Sequence, residues 1–259
     1  MPLSPLDRVR LGKAAVDEGF GLPLPDDGEW MAFDGLGLPA SLRLFHREGA
    51  YFVAVNHAGV AAELATRWSP LPPLTEPIPP DGFQNFIVSD TAPLQSLIRE
   101  IYQLLRALPA GPLRSFEEQV RTLPRSTEVE RLVVQRIGQN LFREALDHYW
   151  NGRCAVTGVS ERLLLRASHM KPWARCASDA ERLDVFNGLL LAAHLDAAFD
   201  SGLISFAESG RILLADRFLP ADREKLGIHP GLKLSRLSPS HAAYLAWHRT
   251  QLYRPEPPC

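Results

Sequence analysis

A proline-dense segment, SPLPPLTEPIPP at residues 69–80, constrains the fold more than any other feature of the sequence. Proline lacks a backbone N–H and has a fixed φ, so this segment cannot form a helix or a central strand. We predict a stiff linker here. At 259 residues the chain is long enough for two modest domains, each with its own core, and we expect the first to end at residue 80.

Residues 1–80 contain short apolar stretches separated by glycine-containing turn pairs such as Asp34-Gly35 and Glu48-Gly49. Short apolar runs between turn residues are typical of strands. We therefore predict a small strand-rich module with one short helix near residues 58–66.

Residues 81–125 and the region after them favour helices. Residues 92–108 carry apolar side chains at the three-and-four spacing of an amphipathic helix, and we assign 81–125 as a helical connector. A second domain, 126–259, would open with the longest helix, because Thr127 and Glu130 form a capping-box pattern, and end it near Trp150. The predicted apolar stripe of that helix is Val129, Leu132, Val133, Ile137, Leu141, Ala145, Leu146 and Tyr149.

The rest of this domain is predicted as a run of short elements. The pattern indicates strands at 163–167 and 188–192, a helix over 194–200, and a hairpin from 203–206 and 211–215. A terminal helix would start at Ser238 and end near Tyr253.

Four residues in this strand, loop, strand and helix pattern have the chemistry of phosphodiester hydrolysis. The reaction needs a base to activate water and a divalent cation to neutralise the phosphate. His169 ends the first strand and is a candidate base. Asp196 and Asp200 are four residues apart, so one helix face can present both carboxylates to a cation. Asn187 precedes the second strand and has the amide needed to hold the loop. We expect the imidazole and the carboxylates to converge on one pocket.

The segments ASHMKPW and RLDVFNGLLLAAHLDAAFDSGLISF, with CAVTG before them, resemble the HNH endonuclease family, in particular its restriction-type branch. The resemblance implies a ββα-metal domain with His169 as general base, Asn187 as loop clamp, and Asp196 and Asp200 as ligands. The expected fold class is α+β: a C-terminal ββα-metal nuclease domain with flanking helices, preceded by the small strand-rich domain.

Two departures from the family pattern bear on the metal. Ser168 occupies the position before the base, where the family often has a ligand, and serine is a weak one. Oxygen ligands favour Mg²⁺, with Mn²⁺, Co²⁺ or Ni²⁺ as alternatives. Cys154 is the sole cysteine where many members carry two C-x-x-C pairs, so we expect no structural zinc. His194 lies two residues from Asp196 and is a further candidate ligand.

The expected partner is double-stranded DNA, with recognition of modified DNA by the N-terminal module as an option that the family resemblance suggests. The candidates for phosphate contacts are Arg153, Arg166, Lys171 and Arg175. The net charge is −2, but residues 151–259 carry 14 Lys/Arg against 11 Asp/Glu, whereas residues 1–150 carry 14 against 19. The sequence leaves open whether two copies form a homodimer.

The sequence also bears on function classes other than a nuclease. No apolar run approaches the roughly 18 residues of a membrane span, and the N-terminal residues lack the pattern of a secretion signal, so we expect a cytoplasmic protein. Three widely spaced cysteines argue against a disulfide framework. Two alternatives stay open: a DNA-binding protein that keeps the ββα shape without cleaving, and a sensor in which residues 1–125 do the work.

Overall fold

The computed structural model describes residues 3–72, 76–124 and 127–255, which form two compact units, Met1–Leu108 and Pro109–Cys259. The division lies later than the predicted boundary at residue 80. Residues 84–88 complete the sheet of the first unit, and the helix over 91–107 packs on that sheet. The predicted connector, 81–125, is thus shared between the two units rather than forming a segment of its own.

The first unit is built on a five-stranded antiparallel sheet in which each strand pairs with the next one along the chain. Its strands are β1 Leu22–Asp27, β2 Trp30–Asp34, β3 Ser41–Arg47, β4 Ala50–Val55 and β5 Gln84–Val88. The strand-rich prediction for this region is confirmed, and the short helix is α2, Ala58–Leu64. Helix α3, Thr91–Ala107, packs its apolar side on β4.

Helix α1, Pro5–Asp17, was not predicted from the sequence. Ser4 caps its first turn by accepting a hydrogen bond from the Asp7 amide, and Pro5 occupies the first helical position. The buried residues are Leu11, Ala14 and Ala15. Because two of these three are alanines, the apolar stripe is too weak to mark a helix by periodicity.

The proline-dense segment lies against the sheet of the first unit, which corrects its interpretation as a linker. The Leu71 amide donates to the Asn85 carbonyl at 2.9 Å, and the Trp30 indole donates to the Ile78 carbonyl at 3.0 Å. Residues 73–75 lie outside the described residues. The segment therefore covers part of the edge of β5, where exposed backbone groups would otherwise invite strand pairing.

The second unit begins with α4, Ala110–Val120, and α5, Glu128–Tyr149, which starts with the predicted Thr127–Glu130 capping box. The predicted stripe of α5 is wrong in its first half, since Val129, Leu132 and Val133 are exposed. The buried face is instead formed by Val134, Gly138, Phe142, Ala145, Leu146 and Tyr149. Periodicity alone placed this face about one residue away from its true position.

The centre of this unit is a two-stranded ribbon between two helices. Strand β6, Leu165–His169, pairs antiparallel with β7, Gly188–Ala192, and α7, Ala193–Asp200, follows at once. The predicted strand, loop, strand and helix order is confirmed. The α5 helix packs on one side of the ribbon, and α7 contacts both of its strands.

Shorter elements complete the second unit. A four-residue helix, α6 Asp179–Arg182, lies in the long loop between β6 and β7. The predicted hairpin is present as β8 Ile204–Phe206 and β9 Ile212–Leu214, followed by α8, Pro220–Lys225. The terminal helix, α9 Ala242–Gln251, comes after a 3-10 turn that Ser238 caps. Among the described residues, no helix has both the length and the apolar character needed to cross a membrane.

Candidate active site

Asn187 holds the long loop between β6 and β7, as its position in the sequence suggested. Its side chain is fully buried, and its amide nitrogen donates to the carbonyls of Lys171 and Glu181 at 3.1 and 3.2 Å. Its amide oxygen accepts a hydrogen bond from the Lys171 amide at 2.8 Å. One side chain thus connects both ends of the loop, using its donors and its acceptor together.

Three further residues of this loop were missed by sequence reasoning. Glu181 pairs with Lys171 at 2.6 Å, and Asp184 accepts hydrogen bonds from the Phe186 amide and the Tyr244 hydroxyl, both at 2.9 Å. Arg182 donates to the carbonyls of Trp173 and Cys176 and to the Asp179 carboxylate. Ser178 and Glu181 have capping-box spacing, and this signal would have indicated an ordered turn here.

Ser168, Asp196 and Asp200 lie together on the α7 side of the ribbon. Ser168 is 2% exposed, and its hydroxyl lies 3.4 Å from Oδ1 of Asp200, to which it donates. The two aspartates are one helical turn apart on α7, so their carboxylates project from the same face. The arrangement places three oxygen-bearing side chains next to one another.

The state in which both carboxyl groups of this cluster are ionised is electrostatically unfavourable. Partial burial, together with the neighbouring Asp196 carboxylate, raises the pKa of Asp200 to about 6, and the Ser168 hydroxyl opposes the change. Burial also raises the pKa of Asp196, while Ser168 and the charge of Arg166 lower it. Two neighbouring carboxylates repel each other, and a cation bound between them would relieve that repulsion.

His169 lies on the other face of the ribbon. Side chains alternate along a strand, so the residue after Ser168 points away from α7 and towards α5. The His169 ring stacks on Phe142 of α5 with the ring centres 3.7 Å apart, and it meets the edge of Trp173 at 5.8 Å. The structure therefore joins Ser168 to the two carboxylates, but it does not place the imidazole side by side with them.

The tautomer of His169 follows from its hydrogen bond. Nε2 lies 2.9 Å from the Arg182 carbonyl oxygen, which can only accept, so Nε2 carries the proton and Nδ1 carries the lone pair. Burial lowers the pKa of the imidazole to about 4, against the opposing effect of this hydrogen bond. Neither Asp196 nor Asp200 contributes to the change. The ring is neutral at physiological pH, which is the state that a general base requires.

The other predicted site residues differ in their exposure to solvent. His194 is exposed on α7, and residues two apart on a helix diverge, so it stands away from Asp196. Lys171 is engaged with Glu181, whereas Arg166 and Arg175 are exposed. Arg153 is also exposed and donates to the Gly158 carbonyl at 3.3 Å. Lys171 serves the loop, and the three arginines are the accessible cations of the predicted set.

The cluster fits a hard divalent cation that keeps several water ligands. Across residues 3–72, 76–124 and 127–255, no three His, Cys, Asp or Glu side chains are grouped closely enough to hold a metal ion. Two carboxylates and a hydroxyl supply only oxygen, which suits Mg²⁺ and Mn²⁺, and Mg²⁺ commonly binds through one or two carboxylates together with water and phosphate. Zn²⁺ prefers nitrogen and sulfur ligands, which this face lacks among the described residues.

One family model matches part of the chain. A family model described as HNH endonuclease matches residues 154–207, which span the ribbon, its long loop, α7 and β8. No curated protein matches the chain. The matched segment contains Ser168, His169, Asn187, Asp196 and Asp200. The expected α+β class is confirmed: a strand-rich sheet comes first, and the segment that matches the HNH endonuclease model, residues 154–207, follows it and is flanked by helices.

Proposed function

We propose that this chain is a metal-dependent endonuclease that hydrolyses phosphodiester bonds in double-stranded DNA. The main support is the arrangement at the end of β6, where a neutral histidine follows directly on a serine that interacts with two carboxylates. Ser168 and His169 are consecutive on β6, so the cation-binding face and the base lie on opposite faces of the same strand end. In this proposal a DNA strand that passes over the end of β6 contacts both.

In this proposal Ser168, Asp196 and Asp200 hold one divalent cation, with Mg²⁺ favoured by the oxygen donors. The bound cation would neutralise charge on the phosphate and on the leaving 3′ oxygen. His169 accepts the proton of the attacking water at Nδ1 while the Arg182 carbonyl holds Nε2–H. Attack on phosphorus with loss of the 3′ oxygen leaves a 3′-hydroxyl and a 5′-phosphate.

The test is cleavage of supercoiled plasmid with Mg²⁺, Mn²⁺, Co²⁺ or Ni²⁺. We expect His169→Ala to lower the rate by two or more orders of magnitude, the usual contribution of a general base being about 10²–10⁴-fold. DNA binding should stay unchanged. His229→Ala, an exposed histidine outside the site, is the matched control. Cleavage by His169→Ala at the wild-type rate would remove this residue as the base.

A second candidate function is DNA binding without cleavage. It is favoured by Ser168, a weak ligand at a position where the family often has a stronger one, and by the small ligand set on this face. Duplex binding with no product under any of the four ions would support this alternative and contradict the first proposal. Cleavage that depends on Asp196 and Asp200 would exclude it.

We further propose that the enzyme serves in bacterial restriction or defence, with the first unit as a target-recognition module that reads sequence or base modification. The support is the resemblance of the motifs around His169 and Asn187 to restriction-type members of the family. The residue 1–108 unit has its own sheet and core, as a separate recognition module would require. Comparing cleavage of unmodified and modified plasmid tests this role, and equal rates on all substrates would count against it.

A further inference from the structure

The turn that leads into β6 exposes two leucines to solvent. Leu163 is 81% exposed and Leu164 is 54% exposed, both in the 3-10 turn Arg162–Leu164. We propose that this pair, the leucine tip, is a wedge that enters the minor groove of duplex DNA next to the bond to be cleaved. The inference rests on the proposed function, because it takes duplex DNA as the substrate.

The leucine tip is held rigidly by hydrogen bonds from two arginines. Arg143 on α5 donates to the carbonyls of Leu165 and Arg162 at 3.1 and 3.2 Å. Arg166 donates to the carbonyls of Leu163 and Leu165, both at 2.9 Å. Charged donors make strong hydrogen bonds, so the turn is fixed from both sides. Side chains that unstack base pairs need such support, because a mobile segment would fold away instead of separating the bases.

Exposed arginines flank the leucine tip. Arg162 is largely exposed, and among the described residues its ion-pair contact is a long one with Asp147, at 3.6 Å. Arg166 is exposed as well, and Arg143 donates to the turn from α5; the acids near these arginines are Asp147, Glu161 and Asp196. Exposed leucines next to exposed guanidinium groups suit the minor groove of DNA, since minor-groove proteins combine apolar wedges with arginine.

The leucine tip is continuous with the candidate active site. Arg166 lies two residues before Ser168 on β6, so both side chains leave the same face of the strand. The charge of Arg166 also acts on the Asp196 carboxylate. A duplex that contacts Arg166 is therefore within reach of both the tip and the carboxylates, and bending at the tip would present a phosphate to them.

The test uses the full chain and short duplexes with 2-aminopurine at successive steps, whose fluorescence rises when the base is unstacked. The buffer contains Ca²⁺ in place of Mg²⁺, and plasmid cleavage is measured separately. We expect the wild type to raise fluorescence at one or two steps. Leu163→Ser with Leu164→Ser should abolish that rise and weaken binding about tenfold or more, the equivalent of one buried leucine.

Matched variants separate the wedge from general effects. Leu219→Ser, which changes another exposed leucine of the second unit, should behave like the wild type, and Leu163→Met should keep the signal because a wedge needs apolar bulk. Arg166→Gln should lower affinity and reduce the salt dependence of binding by about one ion. Thermal unfolding shows whether each variant is folded.

The outcomes distinguish the wedge from the nuclease. A wild type that cleaves, together with a double serine variant that binds and unstacks as well as the wild type, would overturn the wedge and leave the nuclease intact. A wild type that unstacks duplex through the leucines yet never cleaves would support the wedge and overturn the proposed activity. No fluorescence change with any duplex that the wild type binds would also overturn the wedge.

Discussion

Gly188 begins β7 and lies against Phe142 and Leu146 of α5, and Gly188→Ala tests how that contact supports His169. The backbone does not require glycine, since φ is −138° and ψ is 152°, ordinary values for any residue in a strand. The restriction to glycine at this position is steric. A Cβ built on Gly188 would lie 2.5 Å from Cζ of Phe142 and 2.8 Å from a Leu146 methyl carbon. Both partners are buried, so neither side chain can move into solvent.

Two effects of opposite sign determine how Gly188→Ala changes the free energy of unfolding. Gly→Ala in a compatible conformation stabilises by about 0.4–1 kcal/mol, chiefly through the unfolded chain. Overpacking of a buried contact costs about 1–3 kcal/mol and wins because the distances are far below van der Waals contact. We expect a net loss of roughly 1–2 kcal/mol in the free energy of unfolding, or a fall in Tm of about 2–8 °C. Phe142 must shift, and its stacking on His169 is then disturbed.

Denaturant unfolding and an NMR titration of His169 measure these effects. The pKa of His169 should rise from about 4 towards 6.5 as the ring loses its cover. Gly21→Ala is the control, since nothing lies within 4 Å of the Cβ it adds. Combining Gly188→Ala with Phe142→Leu should destabilise less than the sum of the single changes, because leucine makes room for the new methyl group. A Gly188→Ala protein as stable as the wild type, or strict additivity, would refute this reasoning.

Three other predictions concern the loop, the carboxylates and the buried histidines. Asn187→Asp keeps the shape but places a carboxylate against the carbonyls of Lys171 and Glu181, so we expect a loss of at least about 1–3 kcal/mol in denaturant unfolding; a smaller loss than that of Asn187→Ala would contradict the donor role. Because the folded pKa of Asp200, about 6, exceeds the usual 3.8, the contribution of Asp200 to the stability of the metal-free protein should fall as pH rises from about 4 to 6. Asp200→Asn should remove this fall in EDTA and also weaken metal-stimulated cleavage, and an unchanged pH dependence would argue against the like-charge pair. Burial lowers the pKa of His248 to about 4, so the contribution of His248 to stability should be full above pH 6.5 and fall by roughly 3 kcal/mol towards pH 4. His248→Gln should lose less stability on acidification, and an equal loss would assign the acid sensitivity to other groups.

Sequence reasoning located the ribbon, α7 and the α5 capping box because each depends on local signals: apolar runs, turn residues and capping spacing. It also singled out Asn187, whose side-chain amide is hydrogen-bonded to Lys171 and Glu181 of the loop. The face of α5 was misplaced because its N-terminal valines and leucine are exposed, which only tertiary contacts reveal. Side chains alternate along a strand, so Ser168 and His169 point to opposite faces because both lie on β6. The predicted strand ended at residue 167, two residues before the observed end, so the separation of His169 from the carboxylates was not predicted. The boundary at residue 108 depends on β5 pairing with β4, a contact between distant segments.

The position of the ribbon between α5 and α7 has a consequence for protein engineering. Two short strands have no interior of their own, and Phe142 and Leu146 of α5 pack against the start of β7. The segment matched by the family model starts at residue 154, after α5 has ended. Grafting only that segment onto another scaffold would transfer the motif without its hydrophobic support. A portable version must carry the preceding helix from its Thr127 cap onwards, and fusion partners belong before that cap.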